Sequence, residues 1–242
     1  SILLFNIEAI EETARLIDEG YIFAIKGLGG FHLVCSAVND EAVKQMRKNK
    51  NRPTKPYAVM FKHINSIKNY TNVSFIEEES LISKEKPIVL VNKKDDTNLS
   101  SFIAPNVNKL GCFIAYTPLQ NLLFRYLKNP IIATSANLKD EPIIRSKDEI
   151  IEKLSNVVDF VLDFNRDIIN ACDDSVIQIV KKYNIKLRNA RGYAPTTRRL
   201  KEKVEKKILS LGANQKSTIS LAFEDSLILS PHIGDLNSID SV

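Results

Sequence analysis

The sequence has 242 residues, of which 44% are hydrophobic and 26% are charged, a balance typical of a soluble globular protein. No apolar run approaches the roughly 20 residues that a membrane-spanning helix needs, and the first residues lack the basic start of a signal peptide. We therefore expect a cytoplasmic protein without membrane contact. The formal net charge of +5 at pH 7 favours an anionic ligand, either a nucleotide or a nucleic acid.

Cysteine usage argues against a zinc site. The chain has three cysteines, Cys35, Cys112 and Cys172, which are far apart and form no CxxC pair, and it has only three histidines. Zinc sites need closely spaced ligands of these types, so we expect no zinc. Each cysteine lies in or beside an apolar run, which predicts buried free thiols in a reducing compartment.

The first half of the chain shows alternating helix and strand patterns. Apolar residues at helical spacing predict a helix from Ile7 to Glu19, ended by Gly20. Short apolar runs then predict strands over 21–25 and 31–35. Asp40 is a candidate N-cap for a helix that reaches about Lys50, and further strands are predicted over 57–61, 87–91 and 110–115.

The alternation continues in the second half. It predicts a helix over 118–127, a strand over 131–133, and a helix from the capping box at Ser146 to about Leu154. Strands follow over 157–162, 176–180 and 185–187. Such alternation predicts an α/β fold, with a twisted open sheet of parallel or mixed strands and flanking helices.

A change in composition near residue 196 suggests a domain boundary. The stretch from Arg198 to Lys203 is charged and lacks an apolar period, so we interpret 197–206 as a linker after a first domain over 1–196. Short strand patterns return beyond it. About 40 residues cannot enclose a core of their own, so 207–242 is expected to be the beginning of a second, incomplete domain, contributing a short β segment.

Two separated segments carry the most chemical information. Residues 50–56 read Lys-Asn-Arg-Pro-Thr-Lys-Pro, in which Lys50, Arg52 and Lys55 are held on a chain stiffened by two prolines. Residues 134–137 read Thr-Ser-Ala-Asn and follow a buried strand, the position where open α/β sheets bind ligands. A cationic arm facing small polar groups suits a polyphosphate and a small carboxylate. A solvated surface cluster remains the alternative.

Glycines 27, 29 and 30 lie between two predicted strands, whereas a dinucleotide fingerprint requires a helix after the glycines. They could let a ligand or another backbone approach closely, or form a simple tight turn. His32 follows in a strand pattern and could be structural. Phe31 could stack on a base or belong to the core.

A third region contains further phosphate-binding candidates. Asp173 and Asp174 precede a predicted strand and could hold a magnesium ion through substrate phosphates, or could end the strand and form a turn. Arg188 and Arg191 offer bidentate recognition of phosphate, or could be ordinary surface residues. No Ser/His/Asp arrangement and no P-loop is present, and we assign no catalytic residue.

Taken together, these segments resemble the YrdC-like domain of the HypF family of hydrogenase maturation carbamoyltransferases. The resemblance spans nearly the whole chain in one order: 25–33 (IKGLGGFHL), 50–60 (KNRPTKPYAVM), 116–119 (YTPL), 134–137 (TSAN), 141–143 (EPI), 173–176 (DDSV) and 190–195 (ARGYAP). The tail at 211–213 (LGA) and 232–236 (HIGDL) looks like the start of the family's Kae-type domain.

The resemblance implies an activity. In this family the YrdC-like domain joins ATP to carbamate derived from carbamoyl phosphate, giving carbamoyl-adenylate and pyrophosphate, with Mg²⁺ expected alongside ATP. The next domain passes the carbamoyl group to the C-terminal cysteine of a partner protein, HypE, for the cyanide ligands of [NiFe]-hydrogenase. Lys50 and Arg52 match the family's KxR motif, Ser135 and Asn137 its SxN motif, and Arg191 a later arginine.

The full set of expected ATP- and carbamoyl-binding residues is Lys26, Gly30, Phe31, His32, Lys50, Arg52, Lys55, Thr134, Ser135, Asn137, Ser175, Arg188 and Arg191. Four positions depart from the family pattern. Ser36 stands where an aspartate is common, and Ala171, Gln178 and Asn189 stand where arginine is expected, which predicts a less cationic phosphate site.

Two other functions fit parts of the sequence. A threonylcarbamoyl-adenylate synthase for tRNA modification would use the same fold, but the Gly-rich segment and the Kae-like tail argue against it. A YrdC-like module that binds double-stranded RNA would use the basic surface. The chain lacks interleaved exposed aromatics and RRM-like or KH-like signatures, so nucleic-acid binding is disfavoured.

Overall fold

The computed structural model describes residues 3–138, 141–213 and 217–233. The helices are α1 (Asn6–Glu19), α2 (Asp40–Asn49), α3 (Ile64–Tyr70), α4 (Phe75–Ile82), α5 (Pro118–Tyr126) and α6 (Lys147–Leu154). The strands are β1 (Phe23–Lys26), β2 (Phe31–Ser36), β3 (Ala58–Phe61), β4 (Thr71–Asn72), β5 (Ile88–Lys93), β6 (Lys109–Ile114), β7 (Ile131–Ser135), β8 (Phe160–Leu162), β9 (Val176–Val180), β10 (Tyr183–Arg188), β11 (Thr196–Leu211) and β12 (Ile219–Leu229).

Ten of these strands form one mixed sheet in the order β10-β9-β5-β6-β3-β7-β2-β1-β8, with β4 added beside β5. The pairs β1–β8, β3–β6 and β5–β9 are parallel, and the other pairs in this sheet are antiparallel. The predicted α/β fold with a mixed sheet is confirmed. Strands β2 and β7 are neighbours at its centre, which places His32 directly opposite Ser135.

Local sequence explains where the helices begin and end. Thr117 caps α5 through a reciprocal capping box with Gln120, and Pro118 occupies the first turn, where its missing N–H is no loss. Helix α1 ends at Gly20, whose φ of 107° is in the left-handed region that glycine favours. The expected N-cap of α2 was wrong by one residue, because Asn39 rather than Asp40 accepts the bond from the Ala42 amide.

Two short helices were missed by the sequence prediction. Helix α4 has a complete capping box between Ser74 and Glu77, a signal that was available in the sequence. Its apolar period is weak, however, because Phe75 and Ile82 are 75% and 50% exposed. Short helices with exposed apolar residues give little periodicity to detect.

The predicted linker over 197–206 is wrong as a description of local structure. These residues lie within β11, which pairs antiparallel with β12 in a separate two-stranded sheet. Most residues of β11 are exposed, so the strand has no buried apolar face whose period the sequence could show. The domain limits themselves stay a prediction, and 234–242 of the expected second domain lie outside the described residues.

Apolar side chains from both faces of the large sheet form the core. Phe31, Tyr57 and Cys112 belong to one buried cluster, and Phe23 and Phe113 belong to the other. The prediction of buried thiols holds for Cys35 and Cys112, whereas Cys172 is partly exposed. Within the described ranges, none of the helices has the length and apolar character needed to cross a membrane.

Candidate functional site

A cavity of about 360 Å³ opens where β2, β7 and β9 approach the segment after α2. Its polar lining consists of His32, Arg52, Lys55, Tyr57, Thr134, Ser135, Asp173, Asp174 and Arg188, and its apolar wall includes Ile88, Leu90, Val176 and Leu187. This volume lies within the range of about 300–1,000 Å³ that is typical of small-molecule sites. Several residues that the sequence selected therefore surround one cavity.

The two segments singled out from the sequence meet directly. Lys50 Nζ donates to the backbone oxygen of Ser135 at 2.8 Å and to the backbone and side-chain oxygens of Asn137, each at 2.9 Å. Arg52 Nη1 donates to Thr134 Oγ1 at 3.3 Å, across 82 positions of sequence. The alternative of an isolated solvated cluster is thereby excluded for Lys50 and Arg52, although Lys55 is exposed.

Sequence reasoning missed Arg47, which shapes the cationic segment. Its Nη1 lies within hydrogen-bonding distance of the backbone oxygens of Arg52 at 2.7 Å, Pro53 at 3.2 Å and Lys55 at 3.3 Å. Tyr57 lies between two guanidinium groups, 4.8 Å from that of Arg47 and 4.6 Å from that of Arg52. The signal was an arginine on the apolar face of α2, a position that is rarely charged unless its donors are satisfied.

Burial, followed by the crowding of like charges, lowers the pKa values of the cations in this wall. Burial, reinforced by the charges of Arg52 and Lys55, lowers the pKa of Lys50 to about 7. Burial also lowers the pKa of Arg52 to about 10, with contributions from Arg47 and Arg188. An anion bound in the cavity would raise the pKa values of Lys50 and Arg52, because its negative charge would offset the repulsion between the cations.

Arg188 lines the cavity and has one buried donor without a partner in the described part of the chain. Its Nη1 is 3.4 Å from the backbone oxygen of Asp174, but its buried Nε has no hydrogen-bond partner in the described part of the chain. A buried charged donor without a partner costs free energy. A phosphate oxygen would supply the missing acceptor with good geometry for a guanidinium.

Asp174 joins the cavity wall to a buried ionic network. Its carboxylate accepts from Arg191 Nε at 2.7 Å and lies 3.4 Å from His32 Nε2. Burial alone would raise the pKa of Asp174, but the hydrogen bond from His32 and the charges of His32 and Arg191 outweigh it and hold the pKa well below its usual range. The network fixes the position of His32 on the wall.

Two residues expected to bind the ligand have structural partners instead. Arg191 donates from Nη1 and Nη2 to the backbone oxygens of Glu85 at 3.0 Å and Lys86 at 2.8 Å, and its guanidinium stacks 3.6 Å from the Tyr116 ring. Ser175 Oγ accepts from the Ala190 amide and donates to the Arg191 backbone oxygen. Neither lines the cavity, so a direct contact with a ligand there would require both to rearrange.

The glycine-rich segment is a tight hairpin between β1 and β2, closed by a 2.8 Å bond from the Gly27 amide to the Gly30 backbone oxygen. The expected close approach is to another backbone: a Cβ on Gly29 would lie 2.2 Å from the Cys172 oxygen. Gly30 packs against Ile143, and a Cβ there would meet that side chain at 2.4 Å. The hairpin thus holds the Cys172–Asp173 segment in place beside the cavity.

The remaining candidates near the hairpin point away from the cavity. Phe31 is fully buried in the core, so the structure contradicts the idea that it stacks on a base. Lys26 donates to the Phe164 backbone oxygen at 2.9 Å and pairs with Asp163 at the same distance. Their hydrogen bonds and packing account for both residues without a ligand.

Magnesium fits this site only through a bound phosphate. No cluster of three His, Cys, Asp or Glu side chains that could hold a metal is found within the described ranges. Asp174 is already engaged by Arg191 and His32, whereas the partly exposed carboxylate of Asp173 lines the cavity. A magnesium ion held near Asp173 and Asp174 through a triphosphate stays a prediction.

The comparisons with known proteins agree with this fold. The family model Sua5_yciO_yrdC, described as telomere recombination, matches residues 15–190, and the model of the HypF Kae1-like domain matches residues 203–242. Because the first model covers well over half of the chain, the chain belongs to the Sua5/YciO/YrdC family.

Its relatives within that family include carbamoyltransferases. The chain is 42% identical over 231 residues to the carbamoyltransferase HypF of Synechocystis, which covers 96% of this chain but 30% of that relative. The crystal structure of full-length HypF in its phosphate- and nucleotide-bound form superposes with a TM-score of 0.91 at 40% identity, covering 96% of this chain and 37% of that one. The chain thus spans about a third of the length of these relatives.

A more distant neighbour shares the fold alone. P. abyssi Sua5 complexed with L-threonine has a TM-score of 0.69 at 19% identity, covering 78% of this chain and 56% of that one. At this identity the likeness describes architecture and says nothing about the ligand of this chain.

Proposed function

We propose that this chain binds ATP in the cavity described above and forms carbamoyl-adenylate from ATP and carbamate, as one step of a carbamoyltransferase. The observation that carries the proposal is the meeting of Lys50 and Arg52 with Thr134, Ser135 and Asn137 beside a cavity that also holds the unpartnered donor of Arg188. The HypF relatives, one of them crystallised with phosphate and nucleotide, support the choice of ligand.

The reaction needs no protein nucleophile. An oxygen of carbamate attacks the α-phosphorus of ATP, the bond from that phosphorus to the bridging oxygen breaks, and pyrophosphate leaves with the electron pair. Such a displacement requires alignment of the reactants and neutralisation of charge, which fixed cations provide. Mg²⁺ bound to the triphosphate would supply further charge neutralisation.

Individual residues take distinct parts in this proposal. Arg52, Lys55 and Arg188 line the cavity and would contact the triphosphate. Lys50 supports the wall, since its ammonium donates to Ser135 and Asn137 and thereby fixes the strand end. Ser135, which lies opposite His32 in the sheet, would orient the small carbamate group.

The carbamoyl group would then pass to the C-terminal cysteine of HypE, within a longer protein whose Kae-like domain follows this unit. That transfer, the origin of carbamate from carbamoyl phosphate, and the link to [NiFe]-hydrogenase cyanide ligands are inferred from the resemblance to the HypF family. They are part of the proposal for the whole protein rather than for the cavity. The relatives, which are carbamoyltransferases, support carbamoyl transfer in general.

The direct test measures AMP and pyrophosphate after incubation with ATP, Mg²⁺ and ammonium bicarbonate, which supplies carbamate in solution. Carbamoyl phosphate and threonine with bicarbonate are run as separate arms. We expect AMP formation that depends on carbamate and not on threonine. Threonine-dependent AMP would instead assign a threonylcarbamoyl-adenylate synthase, and the absence of AMP in every arm, together with no ATP binding, would reject both.

A charge-removing variant tests the site itself. Arg188→Gln should raise the Kd for ATP about tenfold, the cost of a lost charge-assisted hydrogen bond. Arg125→Gln, on the exposed face of α5, is the matched control and should leave Kd unchanged. Equal affinities for Arg188→Gln and the unaltered chain would place the nucleotide elsewhere.

A further inference from the structure

The segment from Ser230 to Ile233 follows the two-stranded ribbon and packs back onto the first domain. The His232 amide donates to the Asn189 backbone oxygen at 2.7 Å, and the Ile233 amide donates to the Ser217 backbone oxygen at 2.9 Å. The side-chain amide of Asn189 in turn lies 3.5 Å from the Ser230 backbone oxygen. This segment belongs to the region matched by the Kae1-like family model, yet it contacts the nucleotide domain.

The point of contact is adjacent to the cavity. Asn189 stands between Arg188, which lines the cavity, and Arg191, which holds Asp174. Asn189 is therefore bonded directly to a cavity residue in the chain and lies two positions before the arginine that pairs with Asp174.

His232 extends the contact to the cavity wall. Its side chain is 7% exposed, and Nε2 lies 3.9 Å from Oδ2 of Asp173. Of the two carboxylates that line the cavity in the described part of the chain, Asp174 is engaged by Arg191 and His32, while Asp173 faces His232. Asp173 also lies near Lys50, and its negative charge partly opposes the lowering of the Lys50 pKa.

We propose that His232 is a positioning residue for the nucleotide cavity, holding the Asp173 carboxylate against the tail segment so that it does not turn toward the phosphates or toward Lys50. This inference deepens the proposed function and rests on it. A free carboxylate at this wall would repel a triphosphate or compete with it for the surrounding cations. The second unit would thereby contribute a residue to the site of the first.

The test compares ATP affinity of the full 242-residue chain by calorimetry. His232→Ala should raise Kd about fivefold, and His232→Gln, whose amide nitrogen can replace Nε2, should restore most of the loss. In an Asp173→Asn background, His232→Ala should change Kd less than twofold, because the charge that His232 holds is gone. If His232 contributed only to stability, His232→Ala would raise Kd to the same extent with and without the charge of Asp173.

Ser230→Ala is the matched control. The Ser230 hydroxyl accepts from the Ile219 amide at 2.8 Å, so this variant disturbs the same segment without touching Asp173. It should leave Kd unchanged. A fivefold loss in Ser230→Ala, or equal losses for His232→Ala with and without Asp173, would overturn the inference while leaving the proposed function intact. Absence of ATP binding by the unaltered chain would overturn both.

Discussion

The ammonium of Lys50 donates hydrogen bonds to both oxygens of Asn137, the backbone carbonyl and the side-chain amide, each at 2.9 Å. A third bond reaches the Ser135 backbone oxygen at 2.8 Å. All three protons of the ammonium are thus directed at uncharged acceptors of one short segment. Lys50 therefore fixes the geometry of the strand end as well as adding charge to the cavity wall.

Removal of this ammonium should weaken ATP binding although Lys50 does not itself line the cavity. Lys50→Ala removes the donor to three oxygens, of which only Asn137 Oδ1 keeps a second donor, the Ser135 hydroxyl, so we expect the Kd for ATP to rise at least about tenfold, consistent with the loss of charge-assisted hydrogen bonds. Lys48→Ala, on the exposed side of α2, is the control and should bind normally. Isothermal calorimetry measures both, and equal affinities would show that the strand end keeps its shape unaided.

Binding of ATP should be coupled to proton uptake. The pKa of Lys50 is lowered to about 7 by burial and by Arg52 and Lys55, so the group is partly neutral near pH 7.5 in the free chain. A bound triphosphate favours the charged form and raises this pKa, which means that affinity is highest below pH 7 and falls as pH rises through it. Calorimetry at pH 7.5 in buffers of different ionisation enthalpy should give an uptake of up to about one proton. Buffer-independent heats would contradict this.

Asp174 should carry acid sensitivity of the fold. Its pKa is held below the ordinary value, so its contribution to stability is complete above that value and is lost as pH falls through the lowered pKa. Asp174→Asn leaves Arg191 buried without its charge partner and should reduce the free energy of unfolding by about 3 kcal/mol. Urea unfolding at pH 7 tests this, with the exposed Asp96→Asn as control. A difference below about 1 kcal/mol between the variants would show that the network can be replaced by neutral hydrogen bonds.

Gly29→Ala should be poorly tolerated. The added Cβ would lie 2.2 Å from the Cys172 backbone oxygen, so either the hairpin or the segment leading to Asp173 must move. We expect a loss of about 2 kcal/mol in unfolding free energy and weaker ATP binding as well. Gly111→Ala provides the comparison for unfolding alone, because its nearest new neighbour is an Ile88 side-chain carbon at 3.1 Å and Gly111 itself lines the cavity. Similar losses of unfolding free energy in Gly29→Ala and Gly111→Ala would contradict the prediction that the close approach to Cys172 is the cause.

The sequence predicted the parts of the site that depend on local composition. The cationic segment at Lys50 and the polar strand end at Ser135 were both visible, because charge, proline and the end of an apolar run are properties of neighbouring residues. Their convergence could be inferred only from fold and resemblance. The sequence does not show in which direction each side chain points. For this reason Phe31 and Arg191 were expected to bind the ligand, whereas in the structure Phe31 is buried in the core and Arg191 pairs with Asp174.

Other differences have equally physical causes. In the sequence, Arg47 is one of several charged residues of a helix. Its contact with three backbone oxygens of the cationic segment exists only in the folded chain and could not be predicted from neighbouring residues. The ribbon of β11 was mistaken for a linker because a solvated strand has no apolar face to reveal its period. The strand is defined by its pairing with β12, which lies beyond the reach of a local pattern.

The walls of the cavity come from parts of the chain that lie far apart, as the 82-residue separation of Arg52 and Thr134 shows. Contacts of such sequence separation form late in folding, because the intervening loop must be closed first. The cavity is therefore able to bind a ligand only after the whole sheet has formed. A ligand that recognises it should raise the melting temperature in proportion to the logarithm of its concentration, and it should have no affinity for partly folded chains.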